Sequence, residues 1–269
     1  MPTDGAHVTI IDGGGSGSVV TCDSGETAAT ILSSFTILNG GGVILGSSLT
    51  GGGILIDNTS PTVRDCNLLT NQADQGAGIW MNQSSAAIER CRFEGNEATT
   101  LLIFNPGYGG GIYVVNSSPS INSCLFVGNE ASHDGSGVFV ISNLETSRPA
   151  IINCTFAQNV GSVIYTQTAS DPIIDSFPVV VNTIIRDNGN ATSINALVTT
   201  AVNHCITEAI VLGGSGNSTF DPLFRDPDGA DDNPLTFSDN DFRLSCGSPA
   251  IDGGGNTAVP AGTSIDFAG

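Results

Sequence analysis

Residues 109–131 read GGGIYVVNSSPSINSCLFVGNEA, and this stretch decides the fold. The preceding copy, residues 76–98, reads GAGIWMNQSSAAIERCRFEGNEA, with three glycines, a cysteine and an asparagine at matching places. Further copies begin at Gly51 and Gly135, and a looser one begins at Gly161. A unit of about 25 residues is too small to bury its own apolar face, so each unit must stack on the next.

The apolar positions of the unit predict which side chains point inward. Equivalent strands pair in register about 4.8 Å apart, so like residues stack on like. The predicted inward columns are Ile54, Ile79, Ile112, Val138 and Ile164; Ile56, Met81, Val114 and Val140; Val63, Ile88, Ile121 and Ile151; Leu68, Phe93, Phe126 and Phe156; and Cys66, Cys91, Cys124 and Cys154. This pattern predicts a parallel β-helix whose four stacked cysteines are reduced core thiols. Cys22, Cys205 and Cys246 fall outside the pattern.

An asparagine closes each unit, at Asn71, Asn96, Asn129 and Asn159. Asparagine tolerates the left-handed backbone conformation that a tight corner needs, and stacked amides can hydrogen-bond from coil to coil. We therefore predict a structural role for this column.

The repeats resemble those of right-handed parallel β-helix proteins of the pectin-lyase-like superfamily, and most closely the polymorphic-outer-membrane-protein type. Residues 8–15, VTIIDGGG, resemble the first coils of that family, and residues 221–252 resemble the end of secreted bacterial members. The resemblance implies an all-β, right-handed parallel β-helix over residues 1–215, with an acidic loop and a less regular cap at 216–269 in the same domain. It also implies a secreted or bacterial cell-surface protein. No signal peptide is recognisable, so we interpret the sequence as part of a longer precursor.

Composition narrows the possible partners. The formal charge is -19, from 26 acidic residues against seven arginines, and there is no lysine. Such a chain repels phosphate backbones and anionic lipid, which argues against nucleic-acid and membrane-surface partners. Schiff-base chemistry is excluded because it needs a lysine. No apolar run is long enough to span a bilayer, so we expect no membrane insertion.

A column of large side chains lies between the two aliphatic columns of the first strand. It reads Leu55, Trp80, Tyr113, Phe139 and Tyr165, and strand alternation sends these side chains away from the core. Exposed rings would form a surface for a ligand or partner, with Trp80, Tyr113, Phe139 and Tyr165 as the contact residues. The alternative is that residues 99–108, which contain Leu101, Leu102, Ile103 and Phe104, cover the column.

Candidate catalytic groups flank the same strand. Asp74 precedes the Trp80 copy, and His133 and Asp134 precede the Phe139 copy. Two carboxylates across a groove are what glycoside hydrolysis needs, although aspartate is also a common turn residue. The lysine and Gly-His-Gly segments of polygalacturonases are absent. Arg64, Arg90 and Arg92, beside acidic residues, look like exposed ion pairs rather than a lyase centre.

The C-terminal acidic loop contains Asp226, Asp228, Asp231 and Asp232 around a glycine turn. Carboxylates at this spacing suit a hard cation such as calcium, although the pattern departs from the EF-hand loop. A solvated acidic loop is the alternative. We therefore treat Ca²⁺ as a candidate cofactor, with these four residues as its ligands.

Three functions remain open from the sequence. The first is a non-catalytic module that binds a polysaccharide or a cell-surface protein through the outward ring column. The second is a polysaccharide lyase or glycoside hydrolase that uses Asp74, His133 and Asp134. The third is a structural protein that self-associates end to end or laterally through open coil edges.

Overall fold

The structure is a computed structural model that describes residues 9–101, 105–167, 176–189, 194–196, 201–209, 214–233 and 236–255. The described residues form short strands and a single 3-10 turn, Phe237–Asp239. The first strands are β1 (Thr9–Asp12), β2 (Val20–Cys22), β3 (Ile31–Ser33), β4 (Phe35–Leu38), β5 (Val43–Leu45), β6 (Ser48–Thr50), β7 (Ile54–Asp57), β8 (Thr62–Arg64), β9 (Asn67–Leu69) and β10 (Gln72–Ala73). They continue with β11 (Ile79–Asn82), β12 (Ala87–Glu89), β13 (Arg92–Glu94), β14 (Glu97–Ala98), β15 (Ile112–Val115), β16 (Ser120–Asn122), β17 (Leu125–Val127), β18 (Glu130–Ile141) and β19 (Ala150–Ile152). The last are β20 (Thr155–Ala157), β21 (Val160–Gln167), β22 (Val179–Val181), β23 (Ile184–Arg186), β24 (Ile194–Ala196), β25 (Ala201–Asn203), β26 (Ile206–Thr207), β27 (Phe224–Asp226) and β28 (Asp241–Leu244).

Three parallel sheets wrap around one core, which is the parallel β-helix that the repeat predicts. Face 1 consists of β2, β7, β11, β15, β18, β21 and β24, with β10 and β14 added beside the first part of β18; face 2 of β3, β8, β12, β16, β19, β22 and β25; and face 3 of β1, β4, β9, β13, β17, β20, β23 and β26. The chain visits the faces in the order 1, 2, 3 in each coil, and each strand pairs in parallel with its equivalent one coil away. The architecture is an all-β right-handed β-helix, so the predicted fold class is confirmed.

The predicted inward columns form the core. Ile79 pairs with Ile54 and Ile112 in register, and all three side chains are fully buried. The Phe93 and Phe126 rings stack at 4.5 Å with 4° between their planes. Stacking like residues at one coil spacing therefore gives a dry interior.

The cysteine column is longer than the repeat indicates. Cys66, Cys91, Cys124 and Cys154 are buried free thiols, as predicted, but Cys205 is buried at the same corner position. In the coil between Cys154 and Cys205, Thr183 occupies that position. Because this coil has no cysteine, the sequence does not reveal that Cys205 belongs to the column. Cys22 pairs with Ile56 at the start of the second aliphatic column. The interpretation that Cys205 breaks the cysteine pattern is therefore wrong, whereas Cys22 does lie outside the cysteine column; Cys246 is exposed.

The asparagine column forms a ladder of side-chain amides. Each amide donates to the amide oxygen of the next coil at 2.9 Å, from Asn71 through Asn96, Asn129 and Asn159 to Asn188. The predicted hydrogen bonding is confirmed. The left-handed conformation lies one residue earlier, at positions such as Thr70 and Gln158, with φ of 51° and 56°.

The C-terminal segment packs along the side of the β-helix as well as its end. Ser218 pairs with Ile206 of β26, and β27 and β28 form an antiparallel pair. Arg92 donates to the Phe237 carbonyl oxygen at 2.7 Å and to Glu94 at 2.6 Å. The expectation that Arg92 forms an exposed ion pair is therefore wrong: its side chain is buried under this segment.

The other two arginines lie nearer the surface. Arg90 makes a bidentate pair with Asp65, with donor–acceptor distances of 2.7 and 2.9 Å, and Arg64 lies 4.0 Å from the same carboxylate. Among the described residues, no helix has the length and apolar character needed to cross a membrane.

Candidate functional site

The ring column lies on the outer side of face 1, as strand alternation predicts. Trp80 pairs in register with Leu55 and Tyr113, and Phe139 pairs with Tyr113 and Tyr165. The Tyr113 and Phe139 rings stack at 5.0 Å, and the Phe139 and Tyr165 rings stack at 5.6 Å, nearly parallel in both cases. These rings belong to a second apolar cluster, separate from the main core.

Most of this column is nevertheless covered. Trp80 is 8% exposed, Tyr113 7% and Phe139 0%, so the expectation that these three rings form a contact surface is wrong. The cover includes Tyr108, whose ring lies 4.5 Å from that of Phe139, and Val43 of the β5–β6 hairpin. Burial raises the pKa of Tyr113 well above its usual range.

The predicted cover is therefore correct for Tyr108, which ends the segment 99–108. Leu101 of the same segment is 42% exposed, and Leu102, Ile103 and Phe104 lie outside the described residues. Asn105 donates to the Ser47 carbonyl oxygen and ties the segment to the hairpin.

Asp74 holds this cover in place. Its carboxylate accepts the backbone N–H of Leu49 at 2.9 Å and that of Leu101 at 2.6 Å, and the residue is fully buried. A carboxylate that is sealed from solvent and bonded to two backbone amides cannot act on a polysaccharide chain outside. The predicted catalytic role of Asp74 is therefore wrong, and its role is to fasten β6 and residue 101 over face 1.

The column opens to solvent at one place. Tyr108, Asp134 and Ser162 stand in one row across neighbouring coils, next to His133 and Tyr165. We call these five residues the surface cluster. Within it, Tyr108, Asp134, Ser162 and Tyr165 are half-buried, and the His133 side chain is 57% exposed.

Hydrogen bonds and ring contacts organise the surface cluster. Ser162 Oγ donates to Asp134 Oδ1 at 2.6 Å, and His133 Nδ1 lies 3.3 Å from Asp134 Oδ2. The imidazole lies 5.1 Å from the Tyr108 ring. Burial raises the pKa of Tyr108, and the charges of Asp134 and Tyr165 raise it further, so its hydroxyl stays protonated at neutral pH.

This arrangement is suited to binding more than to catalysis. The cluster contains one carboxylate, whereas glycoside hydrolysis uses two. Ser162 bonds to Asp134 rather than to His133, so the serine lacks the imidazole base that a nucleophile needs. Of the three predicted catalytic residues, His133 and Asp134 lie together, and Asp74 lies inside the cover.

Tyr108 and Ser162 are absent from the sequence-based site, although a signal for Tyr108 exists. Tyr108 precedes Gly109 as Asp134 precedes Gly135, so extending the repeat by one residue would align the two. Ser162 follows Gly161, in the coil where the repeat is loosest, and its equivalence to Asp134 becomes visible only in the strand pairing.

Asp226 and Asp228 of the acidic loop lie close to one another. In the described part of the chain, no three acidic, histidine or cysteine side chains are grouped so that they could hold a metal ion. Desolvation raises the pKa of Asp226, and the nearby Asp228 and Asp232 raise it further. The geometry therefore gives no support to a calcium site at Asp226, Asp228, Asp231 and Asp232, and calcium binding stays a prediction.

A family model described as a right handed beta helix region matches residues 7–144, just over half of the chain. Together with the coils described above, this match shows that the chain belongs to the right-handed β-helix family. No curated protein and no solved structure matches the chain.

Proposed function

We propose that this protein is a non-catalytic β-helix module that binds a neutral polysaccharide through the surface cluster. The observation that carries the proposal is the solvent-facing end of the ring column. There, Tyr108 and Tyr165 lie beside the carboxylate of Asp134 and the exposed imidazole of His133. We also propose a secreted or cell-surface location, on the resemblance of the coils to secreted β-helix proteins.

The chemistry of the cluster favours a sugar. The tyrosine ring offers an apolar face that can pack on the C–H face of a pyranose, while its hydroxyl group remains hydrated. Asp134 retains acceptor capacity beyond the bond from Ser162 and the contact with His133 Nδ1, because a carboxylate accepts at about four lone-pair sites. Sugar hydroxyls would satisfy these acceptors without bringing in a charge.

Charge favours a neutral chain over a polyuronate. The protein carries a formal charge of -19, and the surface cluster contains no arginine to offset a carboxylated sugar. A polyanion would be repelled from this surface at low salt. The same argument favours a neutral polysaccharide over an acidic partner protein.

The test is binding of neutral polysaccharides and polyuronates to the full chain, measured by affinity electrophoresis and calorimetry. We expect Tyr165→Ala and Asp134→Asn each to weaken binding of the neutral ligand at least tenfold, about 1.4 kcal/mol. Leu144→Ala, at an apolar side chain that is 70% exposed, is the control and should bind as the wild type does. Thermal unfolding of each variant verifies the fold.

Two outcomes would contradict the proposal. One is that no neutral polysaccharide binds, or that binding survives both cluster variants. The other is release of new sugar ends from a polysaccharide, lost in Asp134→Asn while the fold is retained. That result would replace the binding module with the hydrolase or lyase alternative.

A further inference from the structure

A cleft of about 680 Å³ lies at a different corner of the β-helix, away from the surface cluster. The corner between faces 2 and 3 forms one wall, and the C-terminal segment forms the other. Its volume falls within the range of about 300–1,000 Å³ that is typical of small-ligand sites. None of the sequence patterns points to it, because the two walls are far apart in the chain.

The floor of the cleft is mostly apolar. Thr155, Ile184 and Ile206 occupy one outward column of face 3 on three successive coils, in register. In the same outward column, Leu125 one coil earlier is buried, and Arg92 two coils earlier is buried and bonds the C-terminal segment at Phe237. Thr155 and Ile184 are half-buried and form the accessible base of the cleft, whereas Ile206 at its end is 7% exposed.

One wall carries polar side chains with bonding capacity to spare. Asn153, Asn182 and His204 occupy the corner in left-handed conformation, with φ of 54°, 50° and 54°. Asn182 Nδ2 donates to Asn153 Oδ1 at 3.2 Å, and Asn153 Nδ2 donates to Asn122 Oδ1 at 3.3 Å. An amide has two N–H donors and two acceptor sites, so Asn153 keeps one of each.

The C-terminal wall is fastened to that corner. Asn182 Oδ1 accepts the backbone N–H of Gly255 at 2.7 Å, and Asn182 Nδ2 donates back to the Gly255 carbonyl oxygen at 3.3 Å. Gly255 also packs so close to His204 that an added Cβ would lie 2.7 Å from the imidazole. These contacts tie the C-terminal wall to the corner at one end of the cleft.

The rim supplies a ring and a carboxylate. Phe220 lines the cleft and is 67% exposed, and Asp252, which also lines it, is exposed. No arginine lines the cleft, so it offers no guanidinium to an anionic ligand.

We propose that this cleft is a second binding site, for a short neutral oligosaccharide. The sugar rings would lie on Phe220 and the isoleucine floor, and their hydroxyls would bond Asn153 and Asp252. The ligand class rests on the proposed function, whereas the site does not share a residue with the surface cluster. With two sites at different corners, one protein molecule could hold two polysaccharide segments at once. Binding at one site would then raise the effective concentration of polysaccharide at the other and strengthen binding to the polymer.

The experiment uses neutral trisaccharides as probes: cellotriose, laminaritriose, maltotriose and mannotriose. Each is titrated into methyl-labelled full-length chain, and binding is followed by NMR at the Ile184 and Ile206 methyl groups and by calorimetry. We expect at least one probe to shift both methyl resonances. Phe220→Ala should weaken that binding at least tenfold, because the ring is exposed and its removal leaves the fold intact.

Two further variants separate this site from the surface cluster. Asn153→Asp removes the free amide donor, keeps a residue that tolerates left-handed backbone, and should also weaken trisaccharide binding. Tyr165→Ala should leave it within twofold of the wild type. The proposal falls if no trisaccharide moves these methyl groups, or if Phe220→Ala binds as the wild type does. Polysaccharide binding lost in Tyr165→Ala but unchanged in Phe220→Ala would uphold the proposed function alone.

Discussion

At the residue scale, the asparagine ladder places several hydrogen-bonding groups in the interior, where each needs a partner. Asn129 donates to the Phe93 carbonyl oxygen at 3.0 Å and to Asn159 at 2.9 Å, and its own oxygen accepts from the backbone and the side chain of Asn96. Asn129 is fully buried. Each of these groups would otherwise be an unsatisfied polar atom inside the protein.

Asn129→Ala should therefore lower the free energy of unfolding by about 3 kcal/mol, because several buried donors and acceptors lose their partner. Gln72→Ala is the control: the Gln72 amide is exposed and bonds the side chain of Glu97. That change should alter stability by less than about 0.5 kcal/mol. Urea unfolding of both variants measures the difference. Similar stabilities would contradict the structural role of the ladder.

A second consequence at the residue scale concerns the buried thiols. Burial raises the pKa of Cys205 to about 11, from a usual value of 9.0. The neutral thiol is the form that the folded protein favours, so its contribution is complete below about pH 9. It is lost as the pH rises towards 11, because the unfolded chain then ionises first.

The wild type should therefore lose about 2 kcal/mol of stability through Cys205 between pH 9 and pH 11. Cys205→Ser should fold, since Thr183 already places a hydroxyl at this corner one coil earlier, and it should lose less over the same range. Urea unfolding at pH 8, 9, 10 and 11 tests this. Cys246→Ser, at the exposed cysteine, should follow the wild type. Equal slopes for all three proteins would refute the prediction.

At the scale of the element, the glycines that open each unit control how closely coils approach. Gly109 has a φ of 71°, which is unfavourable for other residues, so it makes the turn into face 1. Gly111 serves a different purpose. A Cβ there would lie 2.5 Å from the Gly137 carbonyl oxygen and 2.8 Å from the Phe126 ring. Neighbouring coils can therefore approach this closely only because Gly111 has no Cβ.

Gly111→Ala should destabilise the protein by about 3 kcal/mol, because the clash is with backbone that cannot move without breaking the coil pairing. Gly46→Ala in the β5–β6 hairpin is the control, because it introduces an unfavourable backbone conformation without a steric clash. Gly46 has a φ of 63°, and no heavy atom lies within 4 Å of an added Cβ. We expect it to lose only about 1–2 kcal/mol. Thermal and urea unfolding measure both; an equal loss in the two variants would argue against the packing explanation.

At the scale of the whole molecule, the dominant feature is unbalanced charge. Twenty-six acidic residues face seven arginines, and many acidic side chains lie on the surface. The surface ion pairs, such as Arg90 with Asp65 and Arg243 with Asp241, neutralise only a few of them. The folded state therefore carries a self-repulsion that the expanded chain relieves.

Sodium chloride should accordingly stabilise the fold. Raising it from about 0.01 M to about 0.15 M shortens the Debye length from about 30 to 8 Å and screens this repulsion. We expect the melting temperature to rise by about 2–4 °C, a gain near 1 kcal/mol. Choline chloride at the same ionic strength should act equally. A flat or falling melting temperature would contradict this account.

The same series tests calcium at the acidic loop. With calcium chloride at matched ionic strength, a rise beyond that in sodium chloride would identify specific binding, and Asp228→Asn should abolish the excess. Equal melting temperatures in the two salts would remove the calcium prediction. Magnesium chloride is the control for divalent charge alone, because magnesium prefers a smaller octahedral site.

The repeat alone predicts the inward columns, the amide ladder and the sheet order. The place of Cys205 in the cysteine column is not predicted, because Thr183 interrupts that column in the sequence. The burial of Arg92 is not predicted, because the residue that covers it lies about 145 residues further along the chain. The site is predicted less well than the fold. Tyr165 is recognisable from its place in the ring column, and His133 and Asp134 from their positions beside it. Tyr108 would align with Asp134 if the repeat were extended by one residue, whereas Ser162 joins them only through strand pairing.

The amino-acid sequence by itself determined which side chains stack inside, because parallel coils repeat one environment and the same residue types return at each turn. The tertiary structure decided which outward surfaces stay open. Residues 40–50, the segment up to Tyr108 and the C-terminal segment do not repeat, so no periodicity says where they pack. They bury Trp80 and Arg92 and leave Tyr165 and the Phe220 cleft facing solvent, because coverage depends on contacts between distant parts of the chain.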